Sequence, residues 1–243
     1  MKQQHTLKYF IKSLAALLLF CVSVDAQNDS IVSTVNDSLK IENKYGLRLG
    51  ADISKLLRTF LEDDYTGFEI VADYRLTKRL FIAGELGTEE KTTSNDYLNA
   101  TVKGNYFKAG IDFNLYRNWL DMENMIYGGL RLGASTFSQT LNSFTVFSTD
   151  QYWEPQFSSD ASQEFSGLTA LWIELVFGLK VEVINNLYLG LNVQLKGLIS
   201  QTQPENFENI HIPGFNKTYD SGEIGAGFGY GIMYSIPIFK KDK

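Results

Sequence analysis

The chain has 243 residues, with 22 Lys+Arg against 28 Asp+Glu and a formal charge of −6. An acidic chain repels phosphate backbones, so no nucleic-acid partner is expected. The single cysteine, Cys21, falls in an N-terminal leader, so the mature chain has no disulfide framework, thiol nucleophile or Cys-based metal site.

Lys2, Lys8 and Lys12 precede an apolar run from Leu14 to Val24, closed by Val24-Asp25-Ala26. This reads as a cleavable secretory signal peptide over residues 1–26. The run falls short of the about 20 residues a spanning helix needs. Phe20 is not the small residue that a lipoprotein signal places before its cysteine. Cleavage removes three lysines and one aspartate, taking the formal charge from −6 to −8. Residues 27–44 are polar and aperiodic and read as a flexible periplasmic leader, with residues 45–243 forming one barrel domain.

Strict alternation begins at Tyr45–Ile53 and returns at Phe68–Leu76, Leu80–Thr88, Tyr106–Leu115 and Met125–Phe137. The clearest stretch is Leu171–Lys196. Leu171, Ile173, Leu175, Phe177, Leu179, Val181 and Val183 share one face, Asn185-Asn186 makes a tight turn, and Leu187 to Leu195 alternate again. An eighth strand spans Glu223–Ile238. The connections after strands one, three, five and seven are long (Ser54–Gly67, Glu89–Asn105, Ser138–Gly167, Gln201–Gly222), and the intervening ones are shorter. Eight strands wired this way predict an all-β fold, an eight-stranded antiparallel up-and-down transmembrane β-barrel of porin-like architecture, with short periplasmic turns and outer loops.

Alternation alone fits a lipocalin-like soluble barrel equally well. Glycine and charge separate the two. Gly46, Gly50, Gly87, Gly110, Gly129, Gly133, Gly178, Gly190 and the Gly225–Gly231 series share a face with the charges, where a narrow lumen needs room for long neighbours. The apolar face of all eight strands carries no charge. The other face carries Arg48, Arg75, Lys108, Arg131, Lys180 and Lys196 with Asp52, Glu69, Asp73, Glu85, Asp112, Glu174, Glu182 and Glu223, which predicts an internal charge network. Tyr45, Tyr74, Tyr116, Trp119, Tyr188 and Tyr234 lie near strand ends, as an interfacial girdle requires.

The segments Gly67–Arg75 (GFEIVADYR), Phe81–Gly87 (FIAGELG), Ser135–Thr145 (STFSQTLNSFT) and Pro213–Ser221 (PGFNKTYDS) resemble a Bacteroidota family known only as domain of unknown function 6048, within the small outer-membrane barrels. The resemblance covers nearly the whole mature chain and implies the fold and a Gram-negative outer-membrane location; it brings no catalytic residue. The ending Tyr234–Phe239 resembles the aromatic signal read by the barrel-assembly machinery. It departs from that signal because Phe239 falls on the lumen face, and a bulge at Pro237 would restore the phase.

Chemistry is sparse. His211 is the only histidine beyond the leader and reads as a solvated loop residue, with an outer-membrane lipid hydrolase using Ser200, Ser221 or Glu223 beside it as the alternative. Glu62-Asp63-Asp64 and Glu89-Glu90 read as solvated acidic runs on outer loops. The loop Ser138–Gly167 offers Phe144, Phe147, Tyr152, Trp153 and Phe157 as a candidate extracellular binding surface, or as aromatics packed on a hairpin that continues above the membrane. No P-loop, GxSxG or HExxH occurs. The expectation is a non-enzymatic barrel without cofactor or metal, with a structural, surface-binding or adhesion role. Its expected partners are the lipid bilayer, lipopolysaccharide and, during biogenesis, the assembly machinery. The remaining alternative is a narrow channel.

Overall fold

The computed structural model describes residues 42–116, 123–146, 157–205, 207–217 and 223–242. The expected signal peptide, most of the leader and Trp119 lie outside these residues. Eight long strands form the ring: β1 (Glu42–Asp52), β2 (Tyr65–Arg75), β3 (Leu80–Ser94), β4 (Leu98–Asn114), β5 (Met125–Thr145), β7 (Gln163–Ile184), β8 (Leu187–Gln201) and β11 (Ile224–Asp242). Each pairs antiparallel with its neighbours, and β1 with β11 closes the circle. A short strand β6 (Ser158–Ser159) edges β5, and β9 (His211–Ile212) pairs with β10 (Asn216–Lys217) in the connection before β11. The end where β1 begins and β11 finishes is the terminal end; the opposite one is the loop end.

The turns at the terminal end follow from local chemistry. Asn186 takes φ 67°, a conformation Asn tolerates, and joins β7 to β8 in two residues. At the loop end two of the expected long loops are wrong. β3 and β4 run on as a ladder to Ser94↔Asn99, where the Asn95 side chain accepts from the Tyr97 and Leu98 amides and closes the turn. After β1 the chain forms helix α1 (Ile53–Leu61), capped by Asp52, whose carboxylate accepts from the Ser54 amide at 2.7 Å. Ile53, Leu56, Leu57, Phe60 and Leu61 have helical spacing, but nine residues between two strand patterns are easily absorbed into a loop. β5 and β7 reach 21 and 22 residues, about twice the 9–11 that cross a bilayer, so their hairpin rises beyond the ring.

The polarity of the barrel is inverted relative to a soluble one. Leu191 is 53 % and Phe228 66 % exposed on the outer surface, whereas Glu174 and Asp112 are fully buried. Glycine provides the interior space: a Cβ at Gly133 would stand 2.2 Å from the Trp172 ring, and one at Gly87 2.2 Å from Tyr106. Near the terminal end the β1–β11 register slips between Tyr45↔Phe239 and Gly46↔Pro237, beside the proline that interrupts the phase. Two expected girdle aromatics are elsewhere. Tyr45 and Tyr188 are buried, with the guanidiniums of Arg75 and Arg48 over their rings at 5.1 and 5.2 Å. Among the described residues no helix is long and apolar enough to cross a membrane.

Candidate functional site

Strand register brings opposite charges face to face across the ladders. Arg48 lies opposite Asp73, Glu85 opposite Lys108, Arg131 opposite Glu174, and Glu174 opposite Lys196. Across the lumen these pairs join into one chain of ions. Arg48 Nε donates to Asp73 at 2.6 Å, and Lys180 Nζ donates to the other Asp73 oxygen at 2.6 Å. Lys180 reaches Asp112 at 3.3 Å; Arg131 lies 2.7 Å from Asp112 and 3.4 Å from Glu85. Arg131 Nη1 also donates to the Ile111 carbonyl at 3.1 Å. Lys108 completes the series at 2.7 Å from Glu85, 3.4 Å from Glu69 and 3.8 Å from Glu174.

Four expected members sit apart from this chain. Arg75 pairs with Glu123 at 2.6 Å near the terminal end, and Glu182 accepts from the Asn186 amide at 2.8 Å. Asp52 serves as the helix cap, and Glu223 is exposed at the loop end. A void of about 50 Å³ lies inside the network beside Asp73, Glu85, Arg131 and Lys180, room for water.

The connection between β8 and β11 folds into the loop end. Ile212 and Phe215 are fully buried against Val102, Tyr106, Phe137, Leu168 and Trp172, with Phe215 edge-on to Trp172 at 6.0 Å. Gly214, at φ 81°, reverses the chain between β9 and β10. Its amide donates to Glu89 at 2.9 Å and its carbonyl accepts from Lys196 at 2.7 Å. The Gln139 amide donates to the Glu208 carbonyl at 2.9 Å and accepts from the Ile210 amide at 3.0 Å.

Glu89 organises this layer, which corrects two expectations. It is buried rather than on an outer loop, taking contacts from Lys55 of α1, from Tyr65 Oη at 3.0 Å and from His211 Nε2 at 3.3 Å. His211 is likewise buried, not solvated. Its carboxylate partner is Glu89; Ser221 lies outside the described residues. β3 continues past its expected end, so Glu85, Gly87 and Glu89 stay on one face, and the period of two carried one residue further would have found Glu89. Ile210, Ile212, Pro213 and Phe215, apolar residues in an otherwise polar connection, are the signal for this infolded segment, which plugs the loop end.

At the rim, Arg58 binds both Glu62 oxygens at 2.9 and 3.0 Å and lies 3.8 Å over the Tyr65 ring, while Lys91 holds Asp64 at 2.7 Å. The Arg58 guanidinium and the Lys91 ammonium hold the Glu62 and Asp64 carboxyls below the usual carboxylate range. A lowered carboxyl pKa contributes stability above the unfolded value and loses it as pH falls through the folded one. The amide protection factors at residues 58–65, corrected for the intrinsic pH dependence of exchange, are therefore expected to fall below about pH 4, where carboxylates protonate, before those of the barrel ladders.

In the aromatic loop, Phe144 and Phe157 have ring centroids 6.1 Å apart and Phe157 is exposed; Phe147, Tyr152 and Trp153 lie outside the described residues. Phe144 also borders a cleft of about 530 Å³ with Leu98, Leu141, Phe165 and Phe207. Among the described residues no three metal-ligating side chains converge.

The family model described as Domain of unknown function (DUF6048) matches residues 6–241. No curated protein matches. Among solved structures the chain is similar to Ail, the attachment invasion locus protein of Yersinia pestis, at 10 % identity and a TM-score of 0.41, over 80 % of this chain and 98 % of that one.

Proposed function

We propose, from the premise that the chain belongs to the Domain of unknown function (DUF6048) family, that it is a non-conducting, non-enzymatic outer-membrane barrel with a structural or surface-binding role carried by its loop end. The observation that carries the reading is the polarity of the wall. Large apolar side chains stand exposed around the ring, including Leu49, Ile82, Phe107, Leu132, Phe177, Leu191 and Phe228, while the ions lie inside. In water such a surface would aggregate; in hydrocarbon it is the low-energy one, and a closed barrel leaves no unpaired backbone to lipid. The N-terminal leader read from the sequence supplies the export route. Lipopolysaccharide and the assembly machinery are the partners this location brings.

The infolded plug and the ion chain favour a closed lumen over the channel alternative. Refolded protein in a planar bilayer is expected to give no discrete conductance steps, and stable steps would refute the closed reading. For the loop end, the exposed Phe157 and the neighbouring cleft supply an apolar surface of the kind that binds protein or glycan partners.

A further inference from the structure

We infer that the barrel wall has a lateral portal beside α1, and that it admits the phosphate-bearing headgroup of a membrane lipid from the surrounding leaflet. The inference rests on the membrane reading above. The wall is incomplete at the loop end. β1 leaves the sheet after Asp52↔Gly231 on one side and Ala51↔Ile70 on the other. Beyond those pairs β11 from Ile224 to Tyr230 is paired with β8 alone. α1 stands in the gap, packed on β2 and β11. It covers the edge of β2, where Thr59 Oγ1 accepts from the Gly67 amide at 2.8 Å. Among the described residues no comparable bonds cover the facing edge of β11.

The helix is built for a wall rather than for a soluble surface. Phe60 and Leu61 are 83 % and 80 % exposed, while Lys55 turns to the interior and Arg58 stays at the rim, bordering the cleft. Between helix and strand lies a cleft of about 350 Å³. Its lining includes Phe228, on the outer surface of β11, and Gly227, whose Cβ direction points to Lys196 Nζ at 3.3 Å inside. A cleft lined by both faces of one strand passes round that strand's free edge, so it connects the apolar exterior with the charged interior.

Charge decides the occupant. Lys55, Arg58, Lys108 and Lys196 line the cleft with Asp52 and Glu62; Lys55 is paired with Glu89, Lys108 with Glu85 and Arg58 with Glu62, so among the described lining residues Lys196 is the cation with donors to spare. Asp52 is committed to the helix cap and Glu62 to Arg58. Lys196 is buried, donates to one carbonyl, and has Glu174 as its carboxylate partner only at 3.9 Å. Its remaining donors suit a dianionic or monoanionic phosphate. Tyr230 and Phe228, stacked 6.3 Å apart, give an acyl chain an aromatic surface at the mouth. Lateral entry suits an amphiphile, whose tail never leaves hydrocarbon while its headgroup reaches the cations.

The test is native mass spectrometry of the full-length folded protein in detergent micelles doped with phosphatidic acid, diacylglycerol or inorganic phosphate. One phosphatidic acid is expected to be retained per barrel, about tenfold or more over diacylglycerol, as loss of a charge-assisted bond implies. Lys196→Gln is expected to reduce retention by a similar factor, and Ala226→Trp, an outward change at the mouth, to abolish it, with both variants still showing heat-modifiable migration. Equal retention of the two lipids, or unaltered retention in Ala226→Trp, would overturn the portal. Binding of inorganic phosphate that Ala226→Trp leaves intact would also overturn it, in favour of an ion site fed from water. A wild-type protein without heat-modifiable migration would instead refute the membrane reading itself.

Discussion

Replacing Asp73 by alanine is expected to destabilise the folded barrel by about 3–5 kcal/mol, because it strips a buried carboxylate from two cations at once. Arg48 and Lys180 both lie 2.6 Å from it, and all three are buried. Lys180 keeps a second carboxylate, Asp112, at 3.3 Å. Among the described residues Arg48 keeps the rings of Phe81 and Tyr188 and the sulfur of Met125 in contact, with the Asp112 carboxylate acting on it without a direct contact, and these do not replace an ion pair. The double variant Arg48→Met with Asp73→Leu is expected to lose less than the single one, since it leaves no orphaned ion at that position. Urea unfolding in lipid vesicles reads both. A loss below about 1 kcal/mol for Asp73→Ala would mean that the lumen is hydrated enough to screen its ions.

Arginine at Leu191 is the second large effect. Leu191 faces outward midway along β8, opposite Leu179 of β7 and Tyr230 of β11. A cation there has no partner and costs ~2–4 kcal/mol near the bilayer midplane. Leu175, on the same face of β7, is expected to respond in the same direction. Arginine at Gln194, three residues along β8, points instead toward the polar cleft with Asp52 and Glu62, and is expected to be tolerated better. The folded fraction after refolding into vesicles checks the set. Equal tolerance at the three positions would return the barrel to the soluble class.

The period of two made the strands legible, and the shared face of glycine and charge made the inside legible: Gly133 beside Trp172 and Glu174 opposite Lys196 are consequences of that one pattern. Which ion meets which was not legible, because it depends on register between strands far apart in sequence. Lys180 finds Asp73 across 107 positions and Glu89 finds Gly214 across 125. Strand ends were underestimated where polar residues continue the ladder, as in Glu89 to Ser94, since beyond the apolar belt alternation in hydropathy fades while pairing persists. α1 escaped because nine residues give only a few apolar repeats, and its apolar side turns outward, opposite to a helix on a soluble core. The plug escaped because a loop histidine is ordinarily solvated; Ile212 and Phe215, which follow His211, are buried and carry it inside, where Glu89 receives it.

The barrel is closed, with apolar side chains outside and ions inside, and is expected to be stable in a membrane or detergent. Gel migration of the detergent-extracted protein, with and without boiling, tests it most directly. The unboiled chain is expected to stay folded in the detergent and migrate as a distinct band, shifting to the unfolded position only after heating. A protein recovered without detergent, or one whose migration is the same before and after boiling, would contradict the account.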